Sequence, residues 1–201
     1  MKIKSVIFDL YGTLIYLQRD SKPYPRLFGS MPSKEQVHDS LVFDAETPEI
    51  FCNKVGIPIP HDIEAIQNDL IQDVASAVAF NDSVEVLQAL HSQGIKLAVI
   101  SNLANPYMAP LYQLELDHFF QSIVFSCQIG FQKPNPNTYK TALEQLNSTA
   151  AETIMVGDSW KSDFEGPQKC GIQGFLLDRS NRFSKENSLR SLRDLFSILN
   201  V

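Results

Sequence analysis

The stretch Ser5-Val6-Ile7-Phe8-Asp9-Leu10-Tyr11-Gly12-Thr13-Leu14 reads as a buried strand that ends in an acid and then turns. A short continuous apolar run bounded by a turn signal is the pattern of a strand covered on both faces. Gly12 permits the sharp turn, so Asp9 is offered at the strand end as a nucleophile or a metal ligand. Tyr11 stands two residues on, where a second acid would complete a pair for nucleophilic and proton-transfer work. That one residue divides the reactions open to the chain.

Working outward, apolar β-rich runs at 5–9, 96–101, 122–125, 153–156 and 174–177 alternate with helix-like stretches. Such alternation argues for an α/β fold, a doubly wound parallel sheet with a Rossmann-like core. Residues 84–93 have helical periodicity, with Asp82 or Ser83 as N-cap and Gly94 as stop, and Pro136 opens a second helix running to about Asn147. A third stripe, Leu189, Leu192, Phe196 and Leu199, predicts a helix over 188–199. Residues 15–81 break the alternation: they carry Pro23, Pro25 and Pro32, then helical stretches at 46–54 and 61–79, with no convincing buried strand. The expected organisation is a core of residues 1–14 and 82–201 with a small helical cap, 15–81, placed over the strand ends where ligands bind.

With 201 residues the chain is long enough for a real hydrophobic core. A formal net charge of −6 without runs of Lys or Arg argues against a nucleic-acid or anionic-membrane partner. No segment is long enough to span a bilayer, and Ser5 to Phe8 is too short for a signal-peptide apolar region. Cys52, Cys127 and Cys170 show neither metal spacing nor an even framework, so reduced thiols in a cytoplasmic protein are expected.

Four strand ends carry polar residues that this fold would bring to one edge. The first offers Asp9, and the second ends in Ser101-Asn102, a hydroxyl and an amide able to donate to an anionic oxygen. After the third comes Gln132-Lys133-Pro134-Asn135-Pro136, whose prolines stiffen the loop and aim Lys133, a cation able to offset the charge of Asp9 and of an incoming anion. The fourth gives Gly157-Asp158-Ser159-Trp160-Lys161-Ser162-Asp163. Two acids there, together with Asp9, form a hard-oxygen set suited to Mg²⁺.

Those motifs, in that order and with a helical insertion after the first, resemble the haloacid dehalogenase-like hydrolase superfamily over essentially the whole chain. The resemblance implies a Rossmann-like core and a cap, with Asp9 as the nucleophile of an aspartyl intermediate. It further implies that Ser101 and Asn102 bind the transferring group and that Lys133 stabilises both. Asp158 would ligate Mg²⁺ alongside Asp9 and the backbone carbonyl of Tyr11, with Asp163 a ligand or a supporting partner.

Tyr11 departs from the pattern, because the superfamily's common phosphatases resemble one another in an acid there that protonates the leaving oxygen, typically worth about 10²–10⁴ in rate. A phenol with a pKa near 10 is a poor substitute. True haloacid dehalogenases resemble this chain in having Tyr there, since halide leaves without a proton. Asp158 and Asp163 pull towards phosphoryl chemistry, because three carboxylates without a cation would force one to bind a proton. The expected function is Mg²⁺-dependent hydrolysis of a small phosphorylated metabolite, an acyl or other activated phosphate among them. The alternatives are carbon–halogen hydrolysis and a catalytically weak binding or regulatory member. His38, His61, His91 and His118 share no ligand spacing, and Trp160 either walls the site or packs under its loop.

Overall fold

The computed structural model describes residues 2–29, 32–181 and 188–200. Its strands are β1 (Ser5–Phe8), β2 (Ile15–Leu17), β3 (Ala77–Ala79), β4 (Lys96–Ser101), β5 (Ser122–Phe125), β6 (Thr153–Gly157), β7 (Gln173–Leu177) and β8 (Ser188–Leu189). All but β2 and β3 form one parallel sheet in the order β5-β4-β1-β6-β7-β8. The helices are α1 (Pro23–Arg26), α2 (Lys34–Val42), α3 (Pro48–Val55), α4 (Ile63–Ala75), α5 (Ser83–Ser92), α6 (Ala109–Gln113), α7 (Ser126–Ile129), α8 (Pro136–Leu146), α9 (Gly166–Lys169) and α10 (Asp194–Leu199).

Every residue of β1 is buried, which is why its sequence is a continuous apolar run rather than an alternation. Its side chains still divide between faces with period two. Val6 and Phe8 pack with Val86, Leu87 and Leu90 of α5 and Leu195 of α10, whereas Ile7 packs with Tyr139, Ala142 and Leu146 of α8. Helices therefore cover both faces, and the chain winds outward from β1 in both directions. The winding reverses between β1 and β6, the place where an open α/β sheet opens a crevice beyond its strand ends. Register aligns the motifs there, since Phe8 lies opposite both Val99 and Val156.

The doubly wound parallel core is as expected, and three local differences have identifiable causes. The helix expected over 61–79 stops at Ala75, because residues 77–79 pair antiparallel with residues 15–17 as β3 and β2. Phe80 then donates its N–H to the Leu14 carbonyl at 3.0 Å and stacks on Tyr16 at 4.7 Å, so tertiary pairing overrides helical propensity. The helix expected over 188–199 begins only at Asp194. Ser188 and Leu189 are drawn onto the sheet edge beside β7, and the Asp194 carboxylate accepts the Arg190 and Ser191 N–H groups at 2.7 and 3.1 Å. Finally, Asp82 sits at the N-cap of α5 without a side-chain cap bond. Its carboxylate instead accepts from Arg179, Ser191 and the Leu192 N–H.

Helices α1–α4 lie between β2 and β3; α1, α3 and α4 share an apolar cluster of Tyr24, Leu27, Phe51, Cys52, Ile66 and Leu70, joined by Ala104 and Tyr107 from beyond β4, while α2 packs against α7. Arg19 pairs with Asp69 and Asp73, and Arg26 with Asp62 and Asp69, tying the start of this segment to α4. No helix among the described residues is long and apolar enough to cross a membrane.

Candidate active site

Asp9 follows β1 directly and donates its N–H to the Val156 carbonyl at 2.9 Å, which fixes it beside the end of β6. The chain then turns, with the N–H groups of Leu14 and Ile15 both returning to the Leu10 carbonyl at 2.8 and 3.0 Å. Gly12 has φ +83°, and a Cβ there would meet Asp158 Oδ2 at 2.5 Å, so both conformation and space require glycine. Gly157 is needed for a different reason from the turn suggested by its sequence setting. A Cβ there would fall 2.3 Å from Asp163 Oδ2, so this glycine admits a buried carboxylate against β6.

Lys133 is at the centre of the site. Its ammonium, buried, donates to Asp9 Oδ1 at 2.6 Å and to Asp163 Oδ1 at 2.7 Å. Asn102 fixes the lysine main chain from both sides: its Oδ1 accepts the Lys133 N–H at 2.7 Å and its Nδ2 donates to the Lys133 carbonyl at 2.9 Å. The amide after β4 thus positions the cation, a role that nothing in the spacing of residues 102 and 133 discloses. Thr13 Oγ1 donates to Asp9 Oδ2 at 3.3 Å, and the Ser159 N–H donates to Asp163 Oδ2 at 3.0 Å. Thr13 lies four residues after Asp9 across a tight turn, which is the one signal that would have found it. Ser101 is buried at the end of β4.

The acids of Asp9, Asp158 and Asp163 each bring a carboxylate oxygen within 4.8 Å of the others. Burial pushes the Asp9 carboxyl up to about 7; Lys133 opposes that rise, and the charges of Asp163 and Asp158 add to it. Burial opposes the charge on Lys133, but Asp163 and Asp9 outweigh it and hold the ammonium above its usual range. The three carboxylates form a hard-oxygen donor set that fits a divalent cation.

Tyr11 is oriented differently from an acid at the same place. Its hydroxyl donates to the Tyr107 carbonyl at 2.9 Å, and the two rings meet edge to face at 6.0 Å. Burial, with a contribution from Tyr107, raises its pKa far above the ordinary phenol value.

The family model for haloacid dehalogenase-like hydrolases matches residues 31–176. The chain belongs to that family. Among its relatives, pyrophosphatase PpaX of Halalkalibacterium halodurans is 30% identical over 220 residues, covering 100% of this chain and 99% of that protein. Among solved structures, the hydrolase YfnB of Bacillus subtilis, bound to magnesium, superposes with a TM-score of 0.72 at 17% identity over 100% of both chains. The L-2-haloacid dehalogenase of Xanthobacter autotrophicus gives 0.69 at 16% over 98% of both. Superposition at these identities shows the fold.

Other residues of this haloacid dehalogenase-like hydrolase that attract notice in the sequence stay apart. His38 meets Gln132 at 2.7 Å, while His91 and His118 pack on Phe119. Trp160 stacks on Phe164 at 4.3 Å, and Phe28 meets Phe51 edge to face. Cys52, Cys127 and Cys170 are free thiols.

Proposed function

We propose that this chain is a Mg²⁺-dependent phosphohydrolase of small phosphorylated metabolites, with Asp9 as the nucleophile. The observation that carries it is the convergence of the Asp9, Asp158 and Asp163 carboxylates at one strand edge, with the Lys133 ammonium bridging Asp9 and Asp163. A relative named a pyrophosphatase, matched over the full length of the chain, supports phosphoryl rather than carbon–halogen chemistry. Arg19 and Arg26, the arginines of the segment between β2 and β3, are engaged with Asp62, Asp69 and Asp73, which weighs against a halide-receiving role.

Asp9 and Asp158, with the Tyr11 backbone carbonyl, would hold the metal. Asp163, whose oxygens already accept from Lys133 and Ser159, would support them. Mg²⁺ bound there offsets charge on the transferring group. Lys133 opposes protonation of Asp9 and orients it, and its ammonium would offset charge on the incoming phosphoryl oxygens. The Ser101 hydroxyl, at the buried end of β4, would meet that group, and Asn102 would act through Lys133. Residues 15–81 serve as a cap that excludes water from the strand edge. The cytoplasm is the setting we assign, in keeping with three free thiols.

Tyr11, its hydroxyl held by Tyr107, motivates a second reading, a member that binds phosphorylated ligands with little turnover. Parallel assays of phosphate and chloride release, with Mg²⁺ or chelator and with Asp9→Asn as control, separate the readings. Phosphate release that needs both Mg²⁺ and Asp9 is expected. Chloride release surviving chelation would overturn the assignment, and binding without release would favour the second reading.

A further inference from the structure

Tyr11 and Asn102 also line a cavity of about 250 Å³ between the loop after β4 and the segment after β2. An apolar cavity of about 150 Å³ holds a benzene ring, so this one has room for a substituted ring. Leu17, Pro23, Leu41, Leu103 and the Tyr107 ring supply most of the wall. Apart from the Tyr24 hydroxyl, which is buried without a hydrogen-bond partner among the described residues, its polar groups are largely committed. The Asn102 amide is engaged with the Lys133 backbone, the Ser40 hydroxyl donates to the Val37 carbonyl at 2.8 Å, and Lys22 pairs with Asp20. Lys22 is the only cation among the lining residues.

Two independent properties of this cavity restrict what leaves from the phosphorus. The wall suits apolar surface and offers no unengaged cation to a charged leaving group, whose desolvation there would be unfavourable. The Tyr11 side chain, the nearest group able to donate a proton by its place in the sequence, has its single O–H directed to the Tyr107 carbonyl. We infer that the leaving group is a flat apolar unit bearing an acidic oxygen, a phenol or an aromatic carboxylic acid, and that it departs as its anion.

The inference rests on Asp9 acting as a phosphoryl acceptor. In the first step an Asp9 oxygen bonds to phosphorus while the bond from phosphorus to the leaving oxygen breaks. The leaving oxygen keeps the electron pair, and its charge is spread over the ring or the carboxylate. In the second step a water oxygen bonds to phosphorus and the Asp9–phosphorus bond breaks, returning the carboxylate. Both water protons leave with the phosphate as dihydrogen phosphate, so neither step needs a proton from Tyr11. Pyrophosphate would meet the proton condition but not the apolar wall, which separates this chain from the relative named a pyrophosphatase.

The test measures kcat/KM of the wild-type protein with Mg²⁺ on phenyl phosphate, benzoyl phosphate, cyclohexyl phosphate, pyrophosphate and glucose 6-phosphate. Phenyl or benzoyl phosphate is expected to exceed cyclohexyl phosphate, its match in size, by about 10²–10⁴-fold, the amount proton donation would otherwise supply. Whichever aromatic compound is faster identifies the phenol or the acid as the source. Either should exceed pyrophosphate and glucose 6-phosphate by about tenfold or more. Cyclohexyl phosphate matching phenyl phosphate, or pyrophosphate or glucose 6-phosphate matching both aromatic compounds, overturns the inference and leaves Asp9 as nucleophile standing. No phosphate from any of the five removes both. A Leu41→Arg variant, placing a guanidinium in the half-buried wall, should raise the ratio of pyrophosphate to phenyl phosphate turnover about tenfold; an unchanged ratio counts against the cavity as the leaving-group site.

Discussion

Two buried aspartates, Asp9 and Asp82, differ in how completely their charge is answered. Asp82 accepts both nitrogens of the Arg179 fork at 2.9 Å, the Ser191 hydroxyl at 2.7 Å and the Leu192 N–H at 2.9 Å. Burial opposes its ionisation, but these partners outweigh burial and hold its carboxyl below the usual range. Asp9 shares one lysine with Asp163 and lies close to Asp158, and burial pushes its carboxyl upward. A buried carboxylate answered by a full set of donors is held ionised, whereas one that shares its lysine with a second acid is pushed towards its protonated form.

Removing the charge of Asp9 tests that contrast most directly. Asp9→Asn should lower phosphate release by about 10⁴-fold, measured as kcat at saturating substrate; retained turnover would break the comparison. Lys133→Ala should lower it by about 10³-fold on the proposed reading, since it removes the cation paired with Asp9 and Asp163. Asp82→Asn belongs to the other side. It leaves the Arg179 guanidinium without its carboxylate and should destabilise the fold by about 3 kcal/mol. For a chain of this size that moves the melting midpoint down by about 6–12 °C. Its pH signature follows from a depressed folded pKa: the stabilising contribution is full above the unfolded value near 3.9 and is lost as pH falls through the folded value.

Tyr11→Asp offers a subtler probe, because it exchanges a hydroxyl held by Tyr107 for a group able to protonate an alkoxide. Turnover of cyclohexyl phosphate should rise about 10²-fold with little change for phenyl phosphate, compressing the dependence on leaving-group acidity. The smallest effect is on stability in chelator. Asp9 has a raised folded pKa, so its charge opposes folding increasingly as pH rises from about 3.9 towards about 7. Melting of metal-free Asp9→Asn should therefore occur above wild type at neutral pH, with the advantage gone near pH 4. Melting of Asp9→Asn below wild type at neutral pH would place Asp9 in the satisfied class with Asp82.

Five of the six core strands were legible because buried parallel strands are written as apolar runs, and β1, β4 and β5 stand out against polar neighbours. The convergence of strand ends followed from topology, since register carries Asp9, Ser101 and Gly157 to one edge. Segments held by distant partners were illegible. Residues 77–79 have no alternation of their own and become a strand only against residues 15–17, while residues 188–193 are drawn off their helical stripe by β7 and Asp194. The bonds between Asn102 and the Lys133 main chain could not be read from spacing, and Tyr11 could not be paired with a carbonyl 96 residues away.

The placement of β1 has a consequence for how such a molecule diversifies. Its amides lie between two hydrogen-bonded neighbours and beneath helices on both faces, a position from which exchange with solvent requires opening of the whole fold. The cavity wall is drawn instead from short helices and loops such as Pro23–Arg26 and the approach to Tyr107. Those segments can accept substitutions and local opening without disturbing β1, so the wall of the cavity can change while the strand that carries Asp9 stays fixed.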